Sequence, residues 1–311
     1  MKQYAIGADI GGTTVKLGIF TVEGKLLIKW EIPTDTSAEG DILKDIALSC
    51  EEKMKEKGFA KEEFAGIGLG VPGPVREDGS VDMCVNLGWK EKQVKKDMET
   101  IIGLPAAVTN DANAAALGEA WQGGASGCEN VVMVTLGTGV GGGVIVGGKI
   151  IAGAHGYGGE IGHILINIHE TVRCNCGKAG CLEQYCSATG IVNETKKAMT
   201  KGEKTTILSD AEVLTAKDVF DAAKRGDAFA LLQVEQFASR LARGLSFISG
   251  VTDPEVFVIG GGVSKAGTII TDTVRRYYRE YVFGRQKETE FVLASLGNDA
   301  GIYGSARLVI G

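Results

Sequence analysis

The strongest constraint on this chain is a repeated opening. Residues 4–27 read YAIGADIGGTTVKLGIFTVEGKLL: an apolar run, a Gly/Thr turn, a second run, a Gly-Lys turn and a third run. Residues 131–151, VVMVTLGTGVGGGVIVGGKII, repeat that order. Ile10-Gly11 matches Leu136-Gly137 at an offset of 126, and Gly24-Lys25 matches Gly148-Lys149 at 124. The two-residue difference falls in the second turn, where a surface deletion is tolerated. Self-similarity at long spacing marks a duplicated unit. Each unit is expected to open with an antiparallel β-meander.

Beyond the meanders, strand patterns lie at 65–71, 105–109, 255–260 and 289–295. Helical patterns lie at 41–57, 112–121, 227–248, 264–280 and 299–309. In the first of these Ile42, Ile46, Cys50 and Met54 recur every four residues, and Gly58 stops the run. Strands alternating with helices predict an α/β chain with a largely parallel sheet covered by helices in each half. A length of 311 residues exceeds what one core usually organises, so two lobes are expected. Ligands in such folds bind outside the strand ends, here in the cleft between lobes.

A net charge of −6 argues against a nucleic-acid partner, because backbone phosphates demand a basic face. Phosphate must then be handled locally, by backbone N–H groups, a few cations or a metal. Residues 130–148 carry no charge, but seven of the nineteen are glycine, which disfavours a membrane helix. Asp9 interrupts the first apolar run before a secretory core can form. Four of the seven cysteines crowd into 174–186, which reads as reduced thiols and a cytoplasmic protein.

The turns Gly11-Gly12-Thr13-Thr14 and Gly137-Thr138-Gly139 would each pass for an ordinary hairpin. Recurrence at matching positions points instead to paired anion sites, in which positive φ at glycine lets the backbone N–H groups approach phosphate. Asp9 ends the first strand and is placed to hold magnesium, directly or through water. A third turn, Gly260-Gly261-Gly262, sits between a strand and the helical pattern from Ser264, which would aim N–H groups and a helix N-terminus at adenosine. Residues 137–142 formally satisfy GxGxxG, but a strand follows where a dinucleotide site needs a helix.

Asn110-Asp111-Ala112-Asn113 stands between a strand and a helix. One polar residue there is a helix cap. The others leave Asp111 available as a carboxylate that receives a hydroxyl proton. Gly158-Gly159-Glu160-Ile161-Gly162-His163 pairs a carboxylate with an imidazole, suited to sugar hydroxyls; Glu160 equally reads as a helix N-terminal acid. Cys174, Cys176 and Cys181, on a glycine-bearing loop, supply three of the four ligands of a closed structural zinc site. Spacing does not choose between His163 and His169 for the fourth. Cys186 reads as core.

These motifs together resemble the bacterial ROK family of sugar kinases and repressors. The likeness runs nearly end to end: DIGGT at 9–13, GVPGPV at 70–75, NLGW at 86–89, NDAN at 110–113, LGTGVGGG at 136–143, GGEIGH at 158–163, CxCGxxGCLE at 174–183 and IGGGV at 259–263. The resemblance implies an actin/hexokinase-like duplicated two-lobed ATPase fold, each lobe a mixed sheet flanked by helices. It implies a small lobe of residues 1–112 with about 297–311, and a large lobe of 113–296 carrying a zinc-binding loop at 163–183. It makes Asp111 the catalytic base toward a sugar 6-hydroxyl, with Asn86, Asn110, Asp111, Glu160, His163 and Glu183 holding the sugar. ATP and Mg2+ fall to Asp9, Gly11, Gly12, Thr13, Thr14, Lys16, Gly137, Thr138, Gly139, Gly261 and Gly262. Zinc falls to His163, Cys174, Cys176 and Cys181.

Repressors of the family carry an N-terminal DNA-binding domain, for which a DIGGT at residue 9 leaves no room. A plain ATPase needs neither GGEIGH nor the cysteine loop. Among kinases, NLGW and Leu296-Gly297-Asn298-Asp299-Ala300-Gly301 resemble glucokinases and favour glucose. Mannose, fructose, allose and N-acetylmannosamine are the competing acceptors. The family suggests a homodimer or a dimer of dimers, and no nucleic-acid or membrane partner is expected.

Overall fold

A computed structural model describes residues 2–37, 40–200, 206–210 and 212–310. The first half runs β1 (Tyr4–Ile10), β2 (Thr14–Thr21), β3 (Leu26–Pro33), α1 (Ile42–Lys57), β4 (Phe64–Val71), β5 (Val81–Cys84), β6 (Trp89–Lys92), α2 (Val94–Ile102), β7 (Ala106–Asn110) and α3 (Asp111–Gln122). The second half runs β8 (Val131–Leu136), β9 (Val140–Val146), β10 (Lys149–Ile150), α4 (Glu183–Cys186), α5 (Ala188–Thr200), α6 (Ala216–Lys224), α7 (Ala228–Thr252), β11 (Val256–Gly260), α8 (Thr268–Tyr281), β12 (Glu290–Leu293) and α9 (Ala300–Arg307).

The duplication is visible in the sheets. One has the order β3-β2-β1-β4-β7 and the other β10-β9-β8-β11-β12. In both, the meander is antiparallel and the last two strands join in parallel. The fold is therefore a two-lobed α/β architecture of the actin/hexokinase type, with mixed sheets flanked by helices.

Local sequence explains the helix faces. Asp41 caps α1 by accepting from Lys44 N, and Gly58 closes it in the left-handed region at φ 73°. Ile42, Ile46, Cys50 and Met54 are all buried against the first sheet. Full burial of each large aliphatic side chain stabilises by about 1.5–3 kcal/mol. The long apolar face of α7 does the same under the second sheet, where Phe237, Leu241 and Leu245 are buried. Cys186 lies in that core, as expected.

Four helices, α2, α4, α5 and α6, and the small β5–β6 hairpin stand where no element was predicted. The expected helix at 264–280 is also different. A short 3-10 turn, Gly262–Ala266, follows the third glycine turn, and α8 begins only at Thr268 after Gly267 at φ 81°.

The helices that follow β7 and β12 pass between the lobes. Helix α3 leaves the first sheet and packs on β8 and β9, while α9 returns to pack on β1 and β4. Close approach is permitted by glycine: a Cβ at Gly7 would overlap the carbonyl of Ile302, and one at Gly68 the carbonyl of Ser305. Ala5, Phe20, Ile302 and Ala306 form the small core beneath α9. Glu119 of α3, fully buried, accepts from Gly124 N (2.8 Å), Ser295 N (3.0 Å) and Leu296 N (2.9 Å). One carboxylate thus ties α3 to the segment that leads into α9.

Candidate active site

The cleft floor is built by the ends of β1 and β7. In the β1–β2 register Asp9 lies opposite Lys16, whose ammonium donates to the Asn298 carbonyl at 3.3 Å. The Asp9 carboxylate rests against Gly301, in the first turn of α9, where a Cβ would approach Cγ to 2.6 Å. Burial raises the Asp9 carboxyl to about 6 against the pull of Lys16, and Asp111 adds a further push.

Asn110 and Asp111 divide the work at the start of α3. Asn110 is the cap: Oδ1 accepts from Ala112 N at 2.9 Å and Asn113 N at 3.4 Å, and Nδ2 donates to the Gly73 carbonyl at 3.0 Å. Asp111 is then the first helical residue, exposed to solvent on its cleft side with protein crowding the carboxyl from behind. That enclosure raises its pKa, although the Ala112 N–H at 2.7 Å and Asn110 pull the other way. A carboxylate at the helix start with one oxygen on a backbone N–H keeps the other for a reacting group.

The glycine turns depart from expectation in one respect. None of Gly11, Gly12, Gly137 and Gly139 adopts positive φ; among the four glycines of the first two turns and Gly261, only Gly261 does, at 83°. Space, not φ, explains two of them, Gly11 against the Thr14 carbonyl and Gly139 against the Glu183 carboxylate. Gly11 N–H closes its hairpin on the Thr14 carbonyl at 3.0 Å, Thr34 Oγ1 donates to the Gly11 carbonyl at 2.7 Å, and Thr34 N donates to the Thr13 carbonyl at 3.0 Å. Gly12 and Thr13 are exposed at the tip, beside Asn86, whose Cβ lies 3.9 Å from where a Cβ on Gly12 would stand. In the second turn Gly137 N donates to the Gly139 carbonyl at 3.0 Å and Thr138 is exposed. In the third, a Cβ on Gly261 would come 2.5 Å from the Leu136 carbonyl, so this turn is seated on the end of β8. Gly262 faces open space.

Two cavities adjoin these turns, one at the third turn and one at the second. One of about 350 Å³ is mainly apolar, walled by Ala188, Phe220, Gly262, Val263 and Ala266. The other, about 710 Å³, runs from Thr138 and Gly139 past Cys174 and Glu183 to α5.

The cysteine loop gathers its ligands tightly. The donor atoms of His163, Cys174, Cys176 and Cys181 all lie within 4.8 Å of one another, and His169 is outside the group. Cys176 and Cys181 sulfurs are 3.6 Å apart, and His163 Nδ1 is 3.9 Å from Cys174 Sγ. A tetrahedron with Zn–S near 2.3 Å has edges of about 3.8 Å, so donor set and spacing fit zinc. The opposite ring nitrogen, Nε2, faces Glu160 at 4.0 Å. One ring therefore has a metal side and a cleft side.

Two residues of this centre escaped the sequence reading. Gln184 accepts from Gly180 N and Cys181 N at 2.8 and 3.0 Å and donates to the Val172 carbonyl at 2.8 Å, fastening the loop. Lys178 donates to the His163 carbonyl at 3.1 Å. Their place inside and beside CGKAGCLEQ was the available signal. Glu183, expected at the sugar, accepts at Oε2 from Val140 N at 3.0 Å, at the second glycine turn.

Comparison with known proteins finds relatives along nearly the whole chain. The ROK family model matches residues 5–311. The chain is similar to a glucokinase of Halalkalibacterium halodurans, 41% identical over 99% of this chain and 95% of that protein. Among solved structures it resembles a ROK hexokinase from Thermus thermophilus, with a TM-score of 0.81 and 31% identity over 98% of this chain and 97% of that one. A ROK family glucokinase from Streptomyces griseus, solved with glucose and AMPPNP, aligns with a TM-score of 0.72 and 33% identity over 98% of each chain.

Proposed function

The chain belongs to the ROK family, and on that premise we propose that it transfers the terminal phosphoryl group of ATP to the 6-hydroxyl of glucose. The observation that carries the reading is the division between Asn110 and Asp111. With capping assigned to Asn110, the Asp111 carboxylate is spared for the acceptor hydroxyl. Phosphoryl transfer asks the protein for positioning and charge, and for a base at the nucleophile.

In this reading Asp111 receives the hydroxyl proton as the oxygen attacks phosphorus. Its raised pKa brings it closer to the working pH, which favours proton acceptance. Asn86, Asn110, Glu160, His163 and Glu183 orient the sugar. The turns at Gly11–Thr14 and Gly137–Gly139 offer N–H and hydroxyl donors to the phosphates, and the apolar cavity beside Gly262 and Phe220 suits adenine. Asp9, with Lys16 opposite, is the group suited to hold Mg2+, which when bound neutralises phosphate charge. Zinc on His163, Cys174, Cys176 and Cys181 would be structural, since four protein ligands leave no open position. The cleft then separates a small lobe, 1–112 with about 297–311, from a large lobe, 113–296; the packing of α9 on β1 and β4 supports that division.

No helix among the described residues is long and apolar enough to cross a membrane. The test is an ADP-release assay over glucose, mannose, fructose, allose and N-acetylated hexosamines. Glucose should give the highest kcat/KM. An absence of sugar-dependent ADP release would overturn the kinase reading.

A further inference from the structure

We infer that Glu183 is the positioning residue through which an occupied sugar site readies the second phosphate turn, so that sugar and nucleotide bind with positive coupling. The inference rests on the kinase reading and deepens it.

Glu183 stands at the junction of three parts of the site. Its Oε2 accepts from Val140 N at 3.0 Å, directly after the Gly137-Thr138-Gly139 turn. The carboxylate lies so close on Gly139 that any Cβ there would overlap it. Its Oε1 is 3.5 Å from Cys174 Sγ, and the residue follows Cys181 by two positions at the start of α4. The same segment also reaches the turn through Ala188 N, which donates to the Gly137 carbonyl at 2.8 Å.

The Cys174 sulfur, 3.5 Å from Oε1, is only a weak donor beside the backbone N–H that holds Oε2. Val140 N–H then remains the fixed partner of the carboxylate, and Oε1 is free to accept from a sugar hydroxyl. Without sugar, a carboxylate with one unengaged oxygen rests on the turn and meets incoming phosphates with like charge. A hydroxyl on Oε1 shares that charge and immobilises the side chain, and with it the N–H groups of the turn. Ordering by a first ligand of what a second must order produces positive cooperativity. Reciprocity requires that the nucleotide tighten sugar binding by the same factor.

The test measures the Kd of a non-hydrolysable ATP analogue with and without saturating glucose, on zinc-replete protein. Wild type should bind the analogue about tenfold more tightly with glucose. Glu183→Gln and Gly139→Ala, which respectively remove the charge and push the carboxylate off the turn, should bring that ratio to near one. Glu160→Gln, which does not touch the turn, should weaken glucose yet keep the ratio once glucose saturates. A wild-type ratio near one, or a wild-type ratio preserved in Glu183→Gln, overturns the inference while the kinase reading stands. If Glu183→Gln cannot be saturated with sugar, amide exchange at Val140 in sugar-free protein decides. Faster exchange than wild type supports the role, and unchanged exchange overturns it. Wild-type protein that binds neither ligand would overturn the kinase reading, and this inference with it.

Discussion

Gly118 and Gly304 meet where α3 crosses α9, each pressed onto the backbone of the other's helix. A Cβ on Gly118 would overlap the Ala300 carbonyl, and one on Gly304 the Ala114 carbonyl. Backbone cannot swing aside as a side chain does, so the helices must separate. Gly118→Ala and Gly304→Ala should each destabilise by about 1–3 kcal/mol or more, read as a fall in the denaturation midpoint at unchanged m-value.

Asp111→Asn keeps the shape and one acceptor for Ala112 N, and removes the proton acceptor. The kcat should fall by roughly 10²- to 10⁴-fold, with glucose Kd within a few-fold of wild type. Steady-state kinetics paired with calorimetric glucose binding checks both halves. Near-normal turnover would remove Asp111 from the base role.

Asp9 carries an opposite balance of stability and activity. Burial pushes its carboxyl up to about 6 in the folded chain, against 3.8 for a free aspartate, so the folded state holds the proton longer. Stability is therefore lost as pH rises from about 4 through 6, and the loss is complete above that, up to about 3 kcal/mol. Asp9→Asn should raise Tm at pH 7 and flatten its pH dependence across that window, while magnesium-dependent activity drops. A lower Tm for the variant at pH 7 would contradict the penalty assigned to the buried charge.

Zinc analysis of the purified protein should return about one ion per chain. Gln184→Ala leaves all four ligands in place and frees the loop they stand on, so zinc affinity should drop roughly 10- to 100-fold. Competition with a chromogenic chelator measures it. An unchanged affinity would mean that the loop holds its shape without Gln184.

How much of this was legible follows from the range of the interactions concerned. The meanders were readable because apolar runs and Gly/Thr turns are local. So was α1, whose buried residues recur every four positions. Helix α5 was not: Thr189, Gly190, Asn193 and Thr195 break its pattern, and it leans on Ser187 Oγ, which accepts from Gly190 N. The cysteine spacing supplied three ligands but not the histidine, because only the fold returns His163 to within reach of Cys174. The capping bonds of Asn110 are local, but the bond that holds its amide nitrogen reaches Gly73, 37 residues away. Glu119 gave no signal at all, since its partners include Ser295 and Leu296, 176 and 177 residues on.

The crossing of α3 and α9 also sets an order of events during synthesis. Strand β1 ends at Ile10, yet the helix that covers it begins at Ala300, 290 residues later. At about 5–20 residues per second the ribosome needs roughly 15–60 s to make that stretch. Through all of it the underside of the first sheet, with Phe20 and the bare faces of Gly7 and Gly68, waits for Ile302 and Ala306. The earliest sheet to emerge is thus the last to be finished, and a nascent chain stalled short of residue 300 would be a substrate for chaperones.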